Sequence, residues 1–166
     1  MPSERALLIV RHAPAEDRSP DGDAGRALTA EGRTEMAQAA HGLARMLDGL
    51  DLIATSPLVR ARQTADLIAA GFPNAERCLL PELAPGVDRD AFATWLDALT
   101  VRRVAVVGHE PDLSLLIGWL IGGRARVRMR KGAAALVALA GAAGQGSAEL
   151  EWLLTRAALR RIGAPR

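Results

Sequence analysis

The chain has 166 residues, with 21 basic and 19 acidic side chains and a formal net charge of +2. That near-balance excludes a strong electrostatic footprint for nucleic acid, and 49% hydrophobic content excludes a disordered chain. A single cysteine, Cys78, excludes an internal disulfide and a cysteine metal cluster.

Lys131 is the one lysine, so nearly all of the positive charge is arginine. Codon bias explains such an excess, and so does a need for planar, bidentate phosphate ligands. Composition does not choose between them. The length and the lack of any compositional break predict one domain over residues 1–166. The apolar run near the N-terminus is too short for a signal peptide. The longest uncharged stretch, Gly132 to Ala148, is broken by glycine, glutamine and serine and falls short of a membrane span. A cytoplasmic chain without membrane attachment is expected.

In chain order, Ala6 to Val10 is a continuous apolar run, as in a strand buried on both faces, and it stops at Arg11-His12. Pro14 to Gly25 is rich in Asp, Gly and Pro and reads as a long functional loop. Thr29 is an N-cap, and Met36, Ala40, Leu43 and Leu47 recur at helical spacing over 30–48. A short strand over 51–55 leads to Ser56-Pro57, with Pro57 as the first position of a helix over 57–70. A strand is predicted over 77–80 and a helix over 90–99. Val104 to Val107 is a second buried strand ending at Gly108-His109, and Pro111 opens a helix that continues to Ile121. Ala134 to Leu139 and Leu150 to Leu154 read as strands. Alternating strands and helices predict an α/β sheet with antiparallel additions near the C-terminus.

Open α/β sheets bind ligands at the carboxyl ends of their strands. Here three such ends carry Arg11 and His12, Ser56 with Arg60 one turn later, and His109. Were these strands parallel neighbours, two histidines and two arginines would converge beside helix N-termini, a site for a small dianion such as a phosphoryl group.

The residues at these ends resemble a known family. Leu8-Ile9-Val10-Arg11-His12-Ala13 is similar to the Arg-His-Gly signature of the histidine phosphatase superfamily, with Ala13 in place of the glycine. Ser56-Pro57-Leu58-Val59-Arg60-Ala61-Arg62-Gln63-Thr64-Ala65 and Val107-Gly108-His109-Glu110-Pro111 resemble its second and third motifs. Arg26-Ala27-Leu28-Thr29 and Pro81-Glu82-Leu83-Ala84-Pro85 resemble the small phosphohistidine phosphatases of the SixA type. The resemblance implies a phosphoglycerate mutase-like fold, a three-layer α/β/α sandwich around a mostly parallel sheet. It implies His12 as the nucleophile that becomes phosphorylated, and Arg11, Arg60 and His109 as holders of the phosphoryl oxygens, with His109 protonated. Arg26 is a further phosphate ligand on this reading, or else pairs with Asp21 or Asp23. Glu82 is a candidate general acid, or else fixes its loop. Alanine at position 13 is expected to tighten the pocket slightly, because glycine permits closer backbone approach or positive φ.

No metal and no cofactor are expected. The substrate is a phosphorylated protein, with phosphohistidine favoured, or a small phosphorylated metabolite. A third possibility is a phosphate-binding or phosphoprotein-binding module without turnover. The oligomeric state is left open. His41, off the apolar stripe of its helix, reads as a surface residue, and Cys78 as a buried small hydrophobe. Glu110 and Asp112 read as helix-start acids. Arg124, Arg126, Arg128 and Arg130 alternate with smaller residues and predict a strand with four cations on one face. That face reads first as a solvated, aggregation-resistant edge, and alternatively as a docking surface for an acidic phosphoprotein.

Overall fold

A computed structural model describes residues 4–165. The first apolar run forms β1 (Arg5–Arg11), and the Thr29 hydroxyl caps α1 (Ala30–Met46) by accepting from Gly32 N at 2.9 Å. Then follow β2 (Leu52–Thr55), α2 (Val59–Ala69), β3 (Glu76–Leu79), α3 (Arg89–Ala98), β4 (Arg103–Gly108) and α4 (Asp112–Leu120). The chain closes with β5 (Ala134–Leu139), β6 (Ala148–Leu154) and α5 (Arg156–Gly163). Single 3-10 turns stand at Asp23–Gly25 and Pro81–Leu83.

The strands form one sheet in the order β3-β2-β4-β1-β5-β6. The first four in that order run parallel, β5 runs antiparallel to β1, and β6 antiparallel to β5. Strand side chains alternate between faces. Leu7, Ile9, Val104 and Val106 pack with Phe92 and Leu96 of α3 and Leu113 and Leu116 of α4. Leu8, Val10, Ala105 and Val107 pack on the other side with Met36 and Leu43 of α1, Ile68 of α2 and Leu159 of α5. Because both faces are covered, β1 and β4 are continuous apolar runs rather than alternating ones. The result is the three-layer α/β/α sandwich.

Four expectations need correction. Residues 124–130 form no strand, so no sheet edge lies there; β3 and β6 are the edges. The alternation survives locally, since Met129 is buried and Val127 half-buried while all four arginines are exposed. Second, the helix after β2 starts at Val59, not Pro57, because Ser56 N is still bonded into the sheet through Val107 O at 3.0 Å. Third, Cys78 is only half-buried because β3 is an edge strand.

Fourth, α5 has no counterpart among the predicted elements. It is short and only Leu159 on it is buried, yet Ala158, Leu159 and Ile162 against Arg156, Arg160 and Arg161 make it amphipathic, a periodicity that was present in the sequence and was overlooked. Its cap is readable, for the Thr155 hydroxyl accepts from Ala158 N at 3.2 Å. Its dock is a close backbone crossing: a Cβ at Gly42 of α1 would come within 2.0 Å of Leu159 O, and one at Gly163 within 2.5 Å of Gln38 O. No helix among the described residues is long and apolar enough to cross a membrane.

Candidate active site

The sheet order brings three carboxyl ends together. Arg11 lies in register with Gly108, and Thr55 with Val107. The backbone ladder runs one step past the strands, with His12 N donating to Gly108 O at 3.1 Å and Ser56 N to Val107 O at 3.0 Å. The first residues beyond the sheet are thus placed as firmly as strand residues. His12, Thr55, Ser56, Arg60, Thr64 and His109 are the buried polar side chains among the described residues, and all of them gather here. The His12 and His109 rings lie 5.3 Å apart.

His12 Nδ1 sits 2.7 Å from Ala13 O. A carbonyl only accepts, so Nδ1 carries the proton and Nε2 keeps its lone pair. Burial drives the His12 pKa down to about 3, with His109, Arg60 and Arg11 pushing the same way. The ring is neutral at pH 7, which is the form a nitrogen nucleophile requires.

Burial, then Arg60, likewise drives His109 down to about 4, against the pull of Asp112 and Asp23. Without a bound anion, His109 is therefore neutral at pH 7. A neutral ring still donates once. Ser56 Oγ accepts from Leu58 N at 3.3 Å and lies 2.7 Å from His109 Nε2. In the tautomer in which the Ser56 hydroxyl donates to His109, Nε2 accepts and Nδ1 bears the N–H. That N–H is buried and has no partner.

Arg60 stands in the first turn of α2, 4% exposed. Its two terminal nitrogens donate to Asp23 O at 2.8 Å and Asp23 Oδ2 at 3.2 Å. Arg11 donates from Nη1 to Met129 O at 3.0 Å. Burial lowers the Arg11 pKa, Glu110 opposes, and a guanidinium stays cationic regardless. The Nε–H groups of both arginines are buried without acceptors. Among the described residues, the buried side-chain polar atoms that lack a partner are these two and His109 Nδ1. The two guanidinium N–H groups are donors in every state, and His109 Nδ1 is a donor in the tautomer in which Ser56 donates to Nε2. Buried donors are almost always satisfied, so three together mark a place for an acceptor with several oxygens.

Arg26 does not join them directly. Its Nε donates to Asp23 Oδ1 at 3.0 Å and its Nη1 to Glu16 O at 3.2 Å, which is the loop salt bridge considered as the alternative. Asp23 thereby links Arg26 to Arg60. Burial alone would raise its carboxyl, but Arg60 and Arg26 outweigh that and hold it below the ordinary carboxylate range. Glu82 is exposed on the 81–83 turn and forms no hydrogen bond with the site among the described residues. Glu110 accepts from Ser114 N at 2.9 Å, as a helix-start acid should. His41 is exposed. No group of three or more His, Cys, Asp or Glu among the described residues is gathered closely enough to hold a metal ion.

Three contributors were missed as site residues. Ser56 sets the His109 tautomer, and Asp23 bridges two arginines. Thr64 accepts from Ala13 N at 3.0 Å and donates to Arg60 O at 2.8 Å, tying the turn after His12 to the helix that carries Arg60. Ser56 and Thr64 were readable only as parts of a motif, because spacing does not reveal what a hydroxyl touches. Ala13 needs no special backbone, since no non-glycine residue among those described has positive φ, and its side chain is fully buried in the core.

Comparison with known proteins gives a consistent picture. The family model described as histidine phosphatase superfamily (branch 1) matches residues 7–87. An uncharacterized protein of Picosynechococcus is 38% identical over 113 residues, covering 64% of this chain and 67% of that one. A structure of the protein histidine phosphatase SixA, complexed with tungstate, superposes with a TM-score of 0.82 at 27% identity, covering 92% of this chain and 97% of that one. A phosphoglycerate mutase from Plasmodium falciparum shares the fold at 16% identity, TM-score 0.64, covering 90% of each chain.

Proposed function

The chain belongs to the histidine phosphatase superfamily and has the SixA-type fold, and from that premise we propose that it is a phosphatase working through a covalent phosphohistidine on His12, with phosphohistidine on a protein as its favoured substrate. The observation that carries this reading is the set of three unpartnered buried nitrogens, the Nε–H donors of Arg11 and Arg60 and Nδ1 of His109, beside a neutral His12.

The lone pair of His12 Nε2 attacks phosphorus in line. The bond from phosphorus to the leaving nitrogen breaks, and its electron pair goes to the departing imidazole. Arg11, Arg60 and His109 donate to the equatorial oxygens, where charge must be held through the transition state. Water then attacks the phosphohistidine, releasing inorganic phosphate and returning His12. No step draws on a metal or a cofactor.

The leaving group decides between substrate classes. An imidazole has a conjugate acid of pKa about 6.5 and departs protonated without a dedicated donor, whereas an alkoxide needs one. Glu82 forms no hydrogen bond to a site residue among the described residues, and Asp23 is held ionised by two arginines, which supports a substrate that needs no dedicated proton donor. This favours a P–N substrate. On this reading the phosphorylated partner is a protein, with a small phosphorylated metabolite as the alternative. A phosphomonoesterase is the second reading, since the same three donors and nucleophile would serve a P–O substrate if Glu82 supplied the proton.

The test compares a phosphohistidine protein with a panel of phosphomonoesters, without added metal, and traps radiolabel on the enzyme. The expected result is preference for the P–N substrate and an acid-labile label that His12→Ala abolishes. Full-rate hydrolysis by His12→Ala would overturn the mechanism. Preference for phosphomonoesters would transfer the case to the second reading, and neither label nor turnover would leave only a phosphate-binding module.

A further inference from the structure

We propose that residues 124–131 form a docking surface for an acidic protein segment that flanks the phosphorylated residue, an inference that rests on the phosphatase reading above. The sequence concentrates charge there. Arg124, Arg126, Arg128, Arg130 and Lys131 fall within eight residues, and no acidic residue stands between Asp112 and Glu149. The fold turns all five outward. Met129 is buried in the core and Val127 packs against it, so the alternating arginines face solvent.

These cations are also unspent. Arg5, Arg26, Arg60, Arg77, Arg103, Arg156 and Arg160 each meet a carboxylate, and among the described residues the other unpaired arginines, such as Arg18, Arg33 and Arg62, are scattered rather than gathered in one segment. None of the five in this segment forms an ion pair among the described residues. With no strand partner to protect, the anti-aggregation reading of this alternation loses its basis.

Position supplies the link to the site. Met129 O accepts from Arg11 Nη1 at 3.0 Å, and Gly132 N donates to His12 O at 3.0 Å. The basic segment is thus bonded at one end to the two residues proposed to handle the phosphoryl group. Residues 124–130 lead away from there along α4, with Ala125 O against Gly118, and their full contour is at most roughly 20 Å at about 3.3 Å per residue. A small phosphorylated metabolite cannot span that distance, but a polypeptide running away from its phosphorylated side chain can. The segment has no aromatic residue on which bases could stack, which weighs against single-stranded nucleic acid. Each exposed contact is weak by itself, but several unpaired cations of one sign raise the local concentration of an acidic partner and speed its arrival.

The test uses the full chain and the triple variant Arg124→Gln, Arg126→Gln, Arg128→Gln, which leaves Arg130 and the Met129 contact in place. Two phosphohistidine peptides, one with acidic and one with neutral flanks, are compared with phosphoramidate. The expected result is a fall in kcat/KM of about tenfold for the acidic peptide, with loss of its salt dependence. Rates on the neutral peptide and phosphoramidate should stay within about twofold, which also shows that the variant is folded. Fluorescence anisotropy with the unphosphorylated acidic peptide gives a readout independent of turnover, and only the wild type should bind. An unchanged rate on the acidic peptide, or an equal loss on phosphoramidate, would overturn the proposal. So would binding of an oligonucleotide or of phosphatidylserine vesicles that the triple variant loses while acidic-peptide binding persists. Should the wild type hydrolyse no P–N substrate at all, the phosphatase reading falls, and the anisotropy result still decides the docking surface.

Discussion

At the seam between α1 and α5, Arg156 reaches Glu35 at 2.6 Å and Lys131 O at 2.7 Å, and Arg160 reaches Glu35 at 2.5 Å and Gln38 at 2.8 Å. At the strand ends, Arg60 is more deeply buried than either, yet its Nε–H and that of Arg11 have no acceptor. The seam arginines point their donors at side-chain oxygens and at a main-chain carbonyl and hold two helices together. The strand-end arginines keep a donor back at a cost, because burying an unsatisfied polar group is unfavourable by roughly 1–3 kcal/mol. A residue type that looks uniform in composition is thus divided by its hydrogen bonds into structural and reactive members.

The sharpest way to break that division is Arg60→Ala. Removing a donor that acts on charge developing in the transition state is expected to lower kcat/KM by about 10²–10³. Chemical denaturation should show a modest loss of about 1–2 kcal/mol, because the two bonds to Asp23 are lost while relief of the unsatisfied Nε–H offsets part of that. A variant that kept its rate but unfolded easily would place Arg60 with the seam arginines instead.

A smaller effect comes from the histidines. In the unfolded chain a histidine titrates near 6.5, but in the fold burial holds His12 at about 3 and His109 at about 4. Below 6.5 the unfolded chain takes up protons that the folded chain refuses. Stability is therefore complete above 6.5 and is lost as pH falls from there toward 4 and 3. At pH 4.5, two pH units below the unfolded value, the penalty is about 2–3 kcal/mol for each histidine, because each tenfold rise in proton concentration favours the unfolded chain by about 1.4 kcal/mol. Urea unfolding at pH 7 and pH 4.5 checks this, and His12→Asn should recover roughly its share. Equal acid sensitivity in the variant would show that neighbouring carboxylates, not the buried ring, control it.

The two regions were unequally legible in the sequence. The strand-end site announced itself because β1 and β4 are unbroken apolar runs that stop abruptly at Arg11-His12 and Gly108-His109. Such a discontinuity is a local signal, and the order of parallel strands then places the ends side by side. Asp23 and Ser56 stayed hidden because their importance lies in partners distant in the chain, Arg60 and His109. The docking at the seam was invisible for a related reason. Its specificity lies in two glycines that allow backbones to touch, and in a helix with one buried side chain. Residues 124–130 misled because period-2 alternation reports which way side chains face, not whether a neighbouring strand exists to bond with.

The smallest expected effect falls on the seam itself. Glu35 is half-buried and receives two guanidinium groups, so Glu35→Ala leaves Arg156 and Arg160 each without their carboxylate. Their exposure lets water replace part of what is lost, which limits the destabilisation to about 1–2 kcal/mol. The loss should shrink in high salt, because half-exposed ion pairs are screened. Activity should be nearly unchanged, since Glu35 forms no hydrogen bond to any site residue and the Arg156 bond to Lys131 O does not require its carboxylate. Denaturation midpoints at low and high salt, measured beside kcat/KM on the same preparation, separate the two quantities. A fall in kcat/KM without a fall in stability would mean that the seam positions the strand ends, and the contrast between spent and reserved arginines would not hold.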